Sequence, residues 1–417
     1  MRQKHFKTLR FIVASSLGTY LEFLDYTMFA FASKIIAEKL LPPSEWALTY
    51  TWMIFALSFL FRIFGTVFFG TVFFGTLGDR FGCKKALLLS MALMAISTSA
   101  IGLIPNYEYG GLWSPVLLLL FRSVQSFAVS PEYSGVSTYL KNNQILTRYY
   151  SFVCSFTVAV AGFGMLTGGF WMAKMLEGYT VSSIPELSWR LPFILSGLLV
   201  GTAGLFLRIS MINEVCPEVK TSPVMELFTE EKSTTVKLIL MVGLIGVMTY
   251  TMSGYLPNFL HQSRDLSLDQ ALSFSTKNTM VLCLAVLFSG YLADWYSAPR
   301  ILSLAVWMIL ISILPIFSML INGGLFQIKL AMTSYAFLLG FFSGPMPGYL
   351  AQNFRQSHRF TGSSVGYNIG MSVFGGMTPL SMVFVAKYSF YAPGLIIVSF
   401  GLLVLWLLRP LGKQLKA

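Results

Sequence analysis

Long apolar stretches alternate with short polar breaks along the whole chain. Each stretch has about 20 residues, enough to cross roughly 30 Å of hydrocarbon. In lipid, an isolated segment of this kind satisfies its backbone hydrogen bonds only as a helix. The pattern therefore predicts an all-α polytopic membrane protein with twelve transmembrane helices, near 10–32, 48–77, 86–105, 115–140, 150–174, 191–210, 236–256, 270–293, 301–321, 328–351, 362–386 and 391–409.

The longest polar break, residues 212–237, separates six spans from six. It predicts a six-helix bundle over 1–211, a cytoplasmic linker over 212–237 and a second six-helix bundle over 238–417. Internal repetition supports this division: Asp79, after the second span, and Asp294, after the eighth, lie 215 positions apart. The dipeptides that begin at Ser130 and Gly344 lie 214 positions apart, as expected for duplicated halves.

The composition and charge agree with a membrane protein. The chain of 417 residues is 55% hydrophobic and only 11% charged, whereas a soluble domain is about 25% charged. The net charge of +12 comes mainly from breaks on the same side as the N-terminus. Because basic residues mark the cytoplasmic face, both termini are predicted to lie in the cytoplasm. The protein itself is predicted to span the cytoplasmic (inner) membrane. The positive charge is therefore a topology signal and does not indicate nucleic acid.

Charged side chains within spans are costly and are candidates for function. They are Glu22, Asp25, Arg62, Arg122 and Glu132, and all of them except Arg62 are predicted to take part in proton coupling. Glu22 and Asp25 are three residues apart and share a helix face. Two crowded carboxylates favour proton uptake by one of them near neutral pH.

Helix rise predicts a partner for Asp25. At 1.5 Å per residue, Asp25 lies about 21 Å above the inner edge, and Arg122 about 9 Å below the outer edge of a roughly 30 Å core. The two side chains share a level, so an ion pair is predicted. A proton on Asp25 would free Arg122 for an anionic substrate group. The alternative is a static ion-pair network that holds helices together.

The second half has no comparable charge within a span, so its share of a central cavity is expected to be aromatic and polar. Such a cavity suits a small zwitterion or carboxylate, because aromatic faces attract ammonium groups and arginine binds carboxylates. The alternative for each residue is ordinary packing. The candidates are Tyr250, Tyr255, Asn258, Tyr335, Tyr349, Gln352, Tyr367 and Asn368.

Five stretches of the chain match the motifs of a known family. They are GTLGDRFGCKK at 75–85, LEFLDYTMF at 21–29, FRSVQSFAVSPEYSGVSTYL at 121–140, WRLPF at 189–193 and RFTGSSVGYNIGMSVFGGMTP at 359–379. They resemble the major facilitator superfamily, in particular its metabolite:proton symporters for proline/betaine, ketoglutarate, citrate and shikimate. The resemblance implies twelve helices in two six-helix bundles and proton-coupled uptake by alternating access. It also assigns Arg62, Arg122 and Gln125 to substrate or proton sites, although Ser126 stands where glycine is usual.

The glycine-rich turn after the second span is predicted to be a conformational latch, made of Gly78, Asp79, Arg80, Gly82 and Lys84. An aspartate can accept hydrogen bonds from free N–H groups at a helix start. The resemblance assigns that start to the eleventh helix. At the second copy, Asp294, a weaker latch is expected because the following residues depart from the pattern. A solvated turn is the alternative.

The pentapeptide GTVFF occurs twice, at 65–69 and 70–74. One copy adds about 7.5 Å of helix and a net rotation of about 140°. A straight extension would move Arg62 to another face, whereas a local bulge would absorb the insertion. The helix is expected to stay continuous, because a break facing lipid would strand backbone groups.

The preferred function is symport of a small carboxylate or zwitterion with protons. An exporter of drugs, sugars or siderophores and a non-transporting membrane sensor are the alternatives. An enzyme is not expected, because the three histidines form no metal-ligand pattern and no nucleophile or phosphate motif occurs. We expect no metal or other cofactor, no nucleic-acid partner, lipid contact and a monomer.

Overall fold

Helices make up every regular element of the described chain. A computed structural model describes residues 2–64, 83–130, 132–142, 147–176, 185–209, 227, 229–264, 266 and 268–408.

The first six predicted spans each contain a helix, here α1 to α6. Short helical turns, Tyr107–Gly110 and Thr147–Tyr149, lie on either side of α4. The bounds are Arg2–Leu40 for α1, Ala47–Phe64 for α2, Cys83–Gly102 for α3, Trp113–Val129 with Glu132–Asn142 for α4, Tyr150–Leu176 for α5, and Glu186–Leu195, a π turn Ser196–Val200 and Gly201–Ile209 for α6.

The last six predicted spans also contain a helix each, so the twelve-helix arrangement is confirmed. A short 3₁₀ turn, Gln356–His358, precedes α11. The bounds are Lys232–Tyr250, a π turn Thr251–Tyr255 and Leu256–Ser263 for α7, Leu268–Tyr296 for α8, Ala298–Asn322 for α9, Leu325–Ser343 with Met346–Gln352 for α10, Arg359–Ile369, a π turn Gly370–Gly375 and Gly376–Ala386 for α11, and Ala392–Leu408 for α12.

Helix contacts follow the order of the two predicted halves. Helix α1 packs against α2 to α6, and α7 packs against α10, α11 and α12. Contacts between the two sets include α5 with α8, and the second part of α4 with α10 and α11. Residues 210–226, which contain much of the predicted linker, lie outside the described residues. The exact division at 211 and 238 stays a prediction.

The duplicated pentapeptides at 65–74 also lie outside the described residues. The predicted continuity of the second helix through them therefore stays a prediction. Helix α2 is described up to Phe64.

Small residues let α5 lie directly against the backbone of α1. A Cβ added at Gly164 would lie 2.5 Å from the Tyr20 carbonyl oxygen, and one at Gly168 would lie 2.6 Å from that of Leu24. Both distances are too short for a real side chain. This contact fixes the height of α1, and with it Glu22 and Asp25, relative to α5.

Replacing Gly168 with alanine should destabilise the protein by about 1–3 kcal/mol, because the added methyl group meets backbone rather than a flexible side chain. The neighbouring glycine gives a matched control: a Cβ at Gly169 would lie 3.5 Å from Thr27 Cγ2, an ordinary contact. Thermal unfolding in detergent should show a lower midpoint for Gly168→Ala than for Gly169→Ala. Equal midpoints would contradict the close α1–α5 contact.

Candidate functional site

Charged and aromatic side chains surround a cavity in the middle of the helices. The cavity has a volume of about 60 Å³, room for roughly four to six water molecules at about 10–15 Å³ each. Its lining comes from α1 to α5 and α7, so it is shared between the two predicted halves. The polar and charged lining includes Glu22, Asp25, Arg62, Thr98, Arg122 and Gln125, and the aromatic lining includes Tyr26, Phe55, Phe59 and Tyr250.

The predicted contact between Asp25 and Arg122 is present. Arg122 Nη1 of α4 donates a hydrogen bond to Asp25 Oδ2 of α1, and both side chains are buried. The same nitrogen donates to Gln125 Oε1 at 2.8 Å, and Gln125 Nε2 donates to Thr98 Oγ1 at 2.8 Å. The guanidinium also lies 3.9 Å from the ring centroid of Phe29. Arg122 is therefore held in one orientation at the cavity wall.

Several polar atoms at this wall have no hydrogen-bond partner among the described residues. They are Glu22 Oε2, Asp25 Oδ1, and Nε and Nη2 of Arg122. Buried polar atoms of this kind are rare, because leaving one unpaired is costly. Their position at a cavity gives them the chemistry to receive a substrate group, water or a proton.

The second carboxylate has an arginine of its own. Arg62 Nη1 of α2 donates to Glu22 Oε1 at 2.9 Å, and Arg62 Nε donates to Asn368 Oδ1 of α11 at 2.7 Å. Glu22 and Asp25 thus share a helix face as predicted, but flanking helices supply a separate cation to each. Arg62 lies at the cavity despite the lengthened sequence that follows it.

The aromatic candidates of the second half divide by location. Tyr250 lines the cavity, with its ring centroid 6.1 Å from that of Tyr26 and 5.9 Å from that of Phe59. Tyr335 instead donates from its hydroxyl to the Met248 carbonyl at 3.0 Å, inside the helix packing. Among the described tyrosines of the second half, Tyr250 is therefore the one that lines the cavity.

Tyr367 and Asn368 lie outside the cavity lining, although they were predicted to bind substrate. Tyr367 stacks on Tyr133 of α4 with ring centroids 3.8 Å apart. Asn368 is completely buried and bonds Arg62 and two backbone carbonyls, those of Ser130 and Ser364. Their side chains contact α2, α4 and α11 instead, and these contacts keep them out of the cavity lining.

Glu132 also lies away from the cavity, in a sealed cluster. Arg208 of α6 donates to both carboxylate oxygens, at 2.8 and 2.5 Å, and Ser90 donates to one of them. Glu132 and Arg208 are both 0% exposed. Sequence reasoning missed Arg208, because a basic residue at a helix end fits the topology rule. Its apolar neighbours Leu207 and Ile209 were the available signal.

The second latch residue contacts a helix start in the way predicted for the first. Asp294, near the end of α8, accepts hydrogen bonds from the backbone N–H groups of Ser151 at 2.8 Å and Phe152 at 2.9 Å. These groups belong to the first turn of α5. This carboxylate therefore ties α8 to α5 across the predicted halves.

The first latch cannot be placed in the same way. Gly78, Asp79, Arg80 and Gly82 lie outside the described residues. Lys84 is described, partly buried in the first turn of α3. The roles of these residues, and the relative strength of the two latches, stay predictions.

The cavity, its buried ion pairs and the twelve helices define a membrane transporter. The family model of the Major Facilitator Superfamily matches residues 15–379, and the chain belongs to this family. The expectation of a transporter rather than an enzyme is thereby confirmed.

Relatives in the same family carry names of metabolite transporters. A Staphylococcus aureus (strain COL) protein named "Putative proline/betaine transporter" is 28% identical over 98% of this chain and 90% of its own length. The "Ectoine/proline transporter ProP" of Corynebacterium glutamicum is 27% identical over 90% of this chain and 78% of its own length. The "Citrate-proton symporter" of Klebsiella pneumoniae is 27% identical over 91% and 85%, respectively.

Solved structures show the same fold at low identity. The proton:xylose symporter XylE, bound to 6-bromo-6-deoxy-D-glucose, has a TM-score of 0.74 at 14% identity and covers 99% of this chain and 96% of its own. FucP in the outward conformation has a TM-score of 0.70 at 13% identity and covers 96% and 99%, respectively. These likenesses support the major facilitator fold.

The buried ion pair of Glu132 and Arg208 can be tested by removing its charges. Arg208→Met should destabilise the protein by about 3–5 kcal/mol, because it leaves the Glu132 carboxylate buried without a counter-charge. The double variant Glu132→Gln/Arg208→Met should recover part of the loss, since no charge remains. Denaturation in detergent measures both. A double variant no more stable than Arg208→Met alone would show that the pair does not act as a unit.

Proposed function

We propose that this transporter takes up a small carboxylate or zwitterionic metabolite, such as an amino acid, betaine or dicarboxylate, together with protons. The observation that carries the proposal is the Asp25–Arg122 pair at the cavity wall. The names of the relatives support the same reaction class, since they include proline, betaine and ectoine transporters and a citrate-proton symporter.

The coupling step follows from the chemistry of this pair. Arg122 offers Nε and Nη2, which have no hydrogen-bond partner among the described residues, toward a substrate carboxylate. A proton on Asp25 removes the competing negative charge, so the arginine can bind that carboxylate in a bidentate contact. Substrate and proton then bind in a mutually favourable way. The family's alternating rocking of two bundles carries them across.

Aromatic side chains complete the specificity of the cavity. Tyr26, Phe55, Phe59 and Tyr250 lie among its lining residues. Their ring faces attract a cationic ammonium group, so a zwitterion can be held at both ends. The charged wall makes the cavity a poor match for a lipid-like drug, because buried charges without partners are costly.

The orientation and assembly are part of the proposal. The protein is placed in the cytoplasmic membrane with both termini inside, as a monomer of two bundles over 1–211 and 238–417. The excess of basic residues in breaks on the side of the N-terminus supports this orientation. The nearly equal offsets of 215 and 214 positions between repeated features of the two halves support the division.

Uptake of a labelled panel into proteoliposomes tests the reaction. The panel contains proline, betaine, ectoine, citrate, ketoglutarate and other amino acids, with and without an inward proton gradient. At least one compound should accumulate only with the gradient, because the proton supplies the driving force. Absent or gradient-independent uptake of every compound would contradict symport for this panel.

Asp25→Asn tests the proton site. Asparagine cannot carry the proton, so accumulation should fall to simple equilibration while exchange of internal and external substrate continues. Glu38→Gln is the matched control, since it removes an exposed acidic charge from the same helix. Unchanged accumulation in Asp25→Asn would remove this residue from the proton path.

A further inference from the structure

The two ion pairs at the cavity differ in which half of the protein their hydrogen bonds contact. Asp25 and Arg122 both belong to the first six helices, and the hydrogen bonds of Arg122 run to Gln125 and onward to Thr98 in the same set. The Glu22–Arg62 pair continues to Asn368 of α11, in the other six. Glu22 is therefore the cavity carboxylate joined to the opposite half through its arginine.

Asn368 joins three helices through one amide group. Its oxygen accepts from Arg62 of α2, and its nitrogen donates to the Ser130 carbonyl of α4 at 2.7 Å and to the Ser364 carbonyl of α11 at 2.9 Å. Ser130 follows directly after the first part of α4, which ends at Val129. The amide thus binds the carbonyl group at the end of that part from the other half.

Aromatic and glycine contacts hold helices of the two halves together on the side of this amide that faces away from the cavity. Tyr133 of α4 stacks on Tyr367 of α11 at 3.8 Å. A Cβ added at Gly348 of α10 would lie 3.2 Å from Tyr150 of α5. We call this region, marked by the Tyr133–Tyr367 and Tyr150–Gly348 contacts, the closed end. Opening toward this side requires these contacts and the Asn368 bonds to separate.

The charges around Glu22 make it the group that balances Arg62. Asp25 is paired with Arg122, and Glu132 with Arg208, while tyrosines are neutral near neutral pH. A proton on Glu22 therefore removes the carboxylate charge that pairs with Arg62, and the loss of this buried ion pair destabilises the closed arrangement. Among the described residues, the titratable and charged groups around it lie on α1, α2, α4, α6, α7 and α11. They are Asp25, Tyr26, Arg62, Arg122, Glu132, Arg208, Tyr250 and Tyr367.

We propose that Asn368 is a positioning residue that holds Arg62 against α11 and so links proton uptake by Glu22 to separation of the two halves at the closed end. In this arrangement Asp25–Arg122 receives the substrate, and Glu22–Arg62–Asn368 releases the closed end. The assignment of substrate binding to one pair and opening to the other rests on the proposed function. The link between a proton on Glu22, Asn368 and opening is independent of that function.

Opening can be measured without knowing the substrate. Spin labels at Tyr149→Cys, between α4 and α5, and Gln352→Cys, at the end of α10, occupy exposed positions on opposite halves at the closed end. With the four native cysteines replaced, electron–electron distance measurements on the full chain in lipid nanodiscs report closed and open populations across a pH series. The open population should grow as the pH falls, because Glu22 gains a proton.

Asn368→Ala should raise the open-to-closed ratio about tenfold at neutral pH, since it removes a buried hydrogen bond to a charged group. It should also flatten the pH dependence, because Arg62 loses its hydrogen bond to Asn368 of α11. Asn278→Ala is the matched control: this buried amide accepts from Thr333 at 2.9 Å, within the second six helices. It should leave the populations and their pH dependence as in the parent.

Glu22→Gln gives the decisive comparison, because glutamine imitates the protonated carboxyl group. It should raise the open ratio at neutral pH, and adding Asn368→Ala should raise it little further. In an Asp25→Asn background, Asn368→Ala should keep its full effect. An effect of Asn368→Ala that is equally large with Glu22 and with Gln at that position, or absent with Glu22, would overturn the proposal.

Folding is controlled by a second substitution and a second readout. Asn368→Ser keeps a small polar group and should shift the populations in the same direction if Asn368→Ala does not yield folded protein. Parent-like populations in Asn368→Ser would count against the proposal. Failure of every panel compound to accumulate, with the expected label distances retained, would refute the proposed function and leave the Glu22–Asn368 link standing.

Discussion

A positive charge buried among apolar helices needs a negative charge within contact distance, because the surrounding medium hardly screens or solvates it. Three arginines meet this need in the described chain: Arg62 with Glu22, Arg122 with Asp25, and Arg208 with Glu132. Two of the carboxylates stand three residues apart on α1. The positions of α2 and α4 beside α1 depend on these pairs.

The three arginine–carboxylate pairs differ in what surrounds them. Glu132 and Arg208 are sealed from solvent, so each neutralises the other inside the first six helices. Asp25 and Arg122 face the cavity, where a substrate can compete for the cation. Glu22 and Arg62 face the cavity on one side and α11 on the other, through Asn368. Under the two proposals, the first pair stabilises the first six helices, the second binds substrate, and the third controls opening of the closed end.

The sequence predicted the fold because apolar runs of about 20 residues allow few outcomes in lipid. It predicted the Asp25–Arg122 contact because the rise per residue sets the depth of a side chain. The partner of Glu22 depends on rotation about the axis of α2, which spacing does not give when a duplication follows Arg62. The bonds of Asn368 join three helices from separate parts of the chain, so no local pattern records them.

Arg208 and Asp294 show two further limits of sequence reasoning. A basic residue at the end of α6 satisfies the topology rule whether it is solvated or buried, so composition could not separate the two. At Asp294, the residues that follow did not indicate which helix the carboxylate contacts. Its two hydrogen bonds go to backbone N–H groups, however, and depend on where α5 begins rather than on those neighbours.

The fit of α5 against α1 carries a mechanical consequence. Gly164 and Gly168 bring the two backbones into contact, and Asp294 grips the start of α5 from the other half. The two helices are therefore expected to move as one unit, which Asp294 contacts at the start of α5, with Glu22 and Asp25 partway along α1. A displacement of that start shifts both carboxylates together, so their spacing is kept while contacts to the opposite half change.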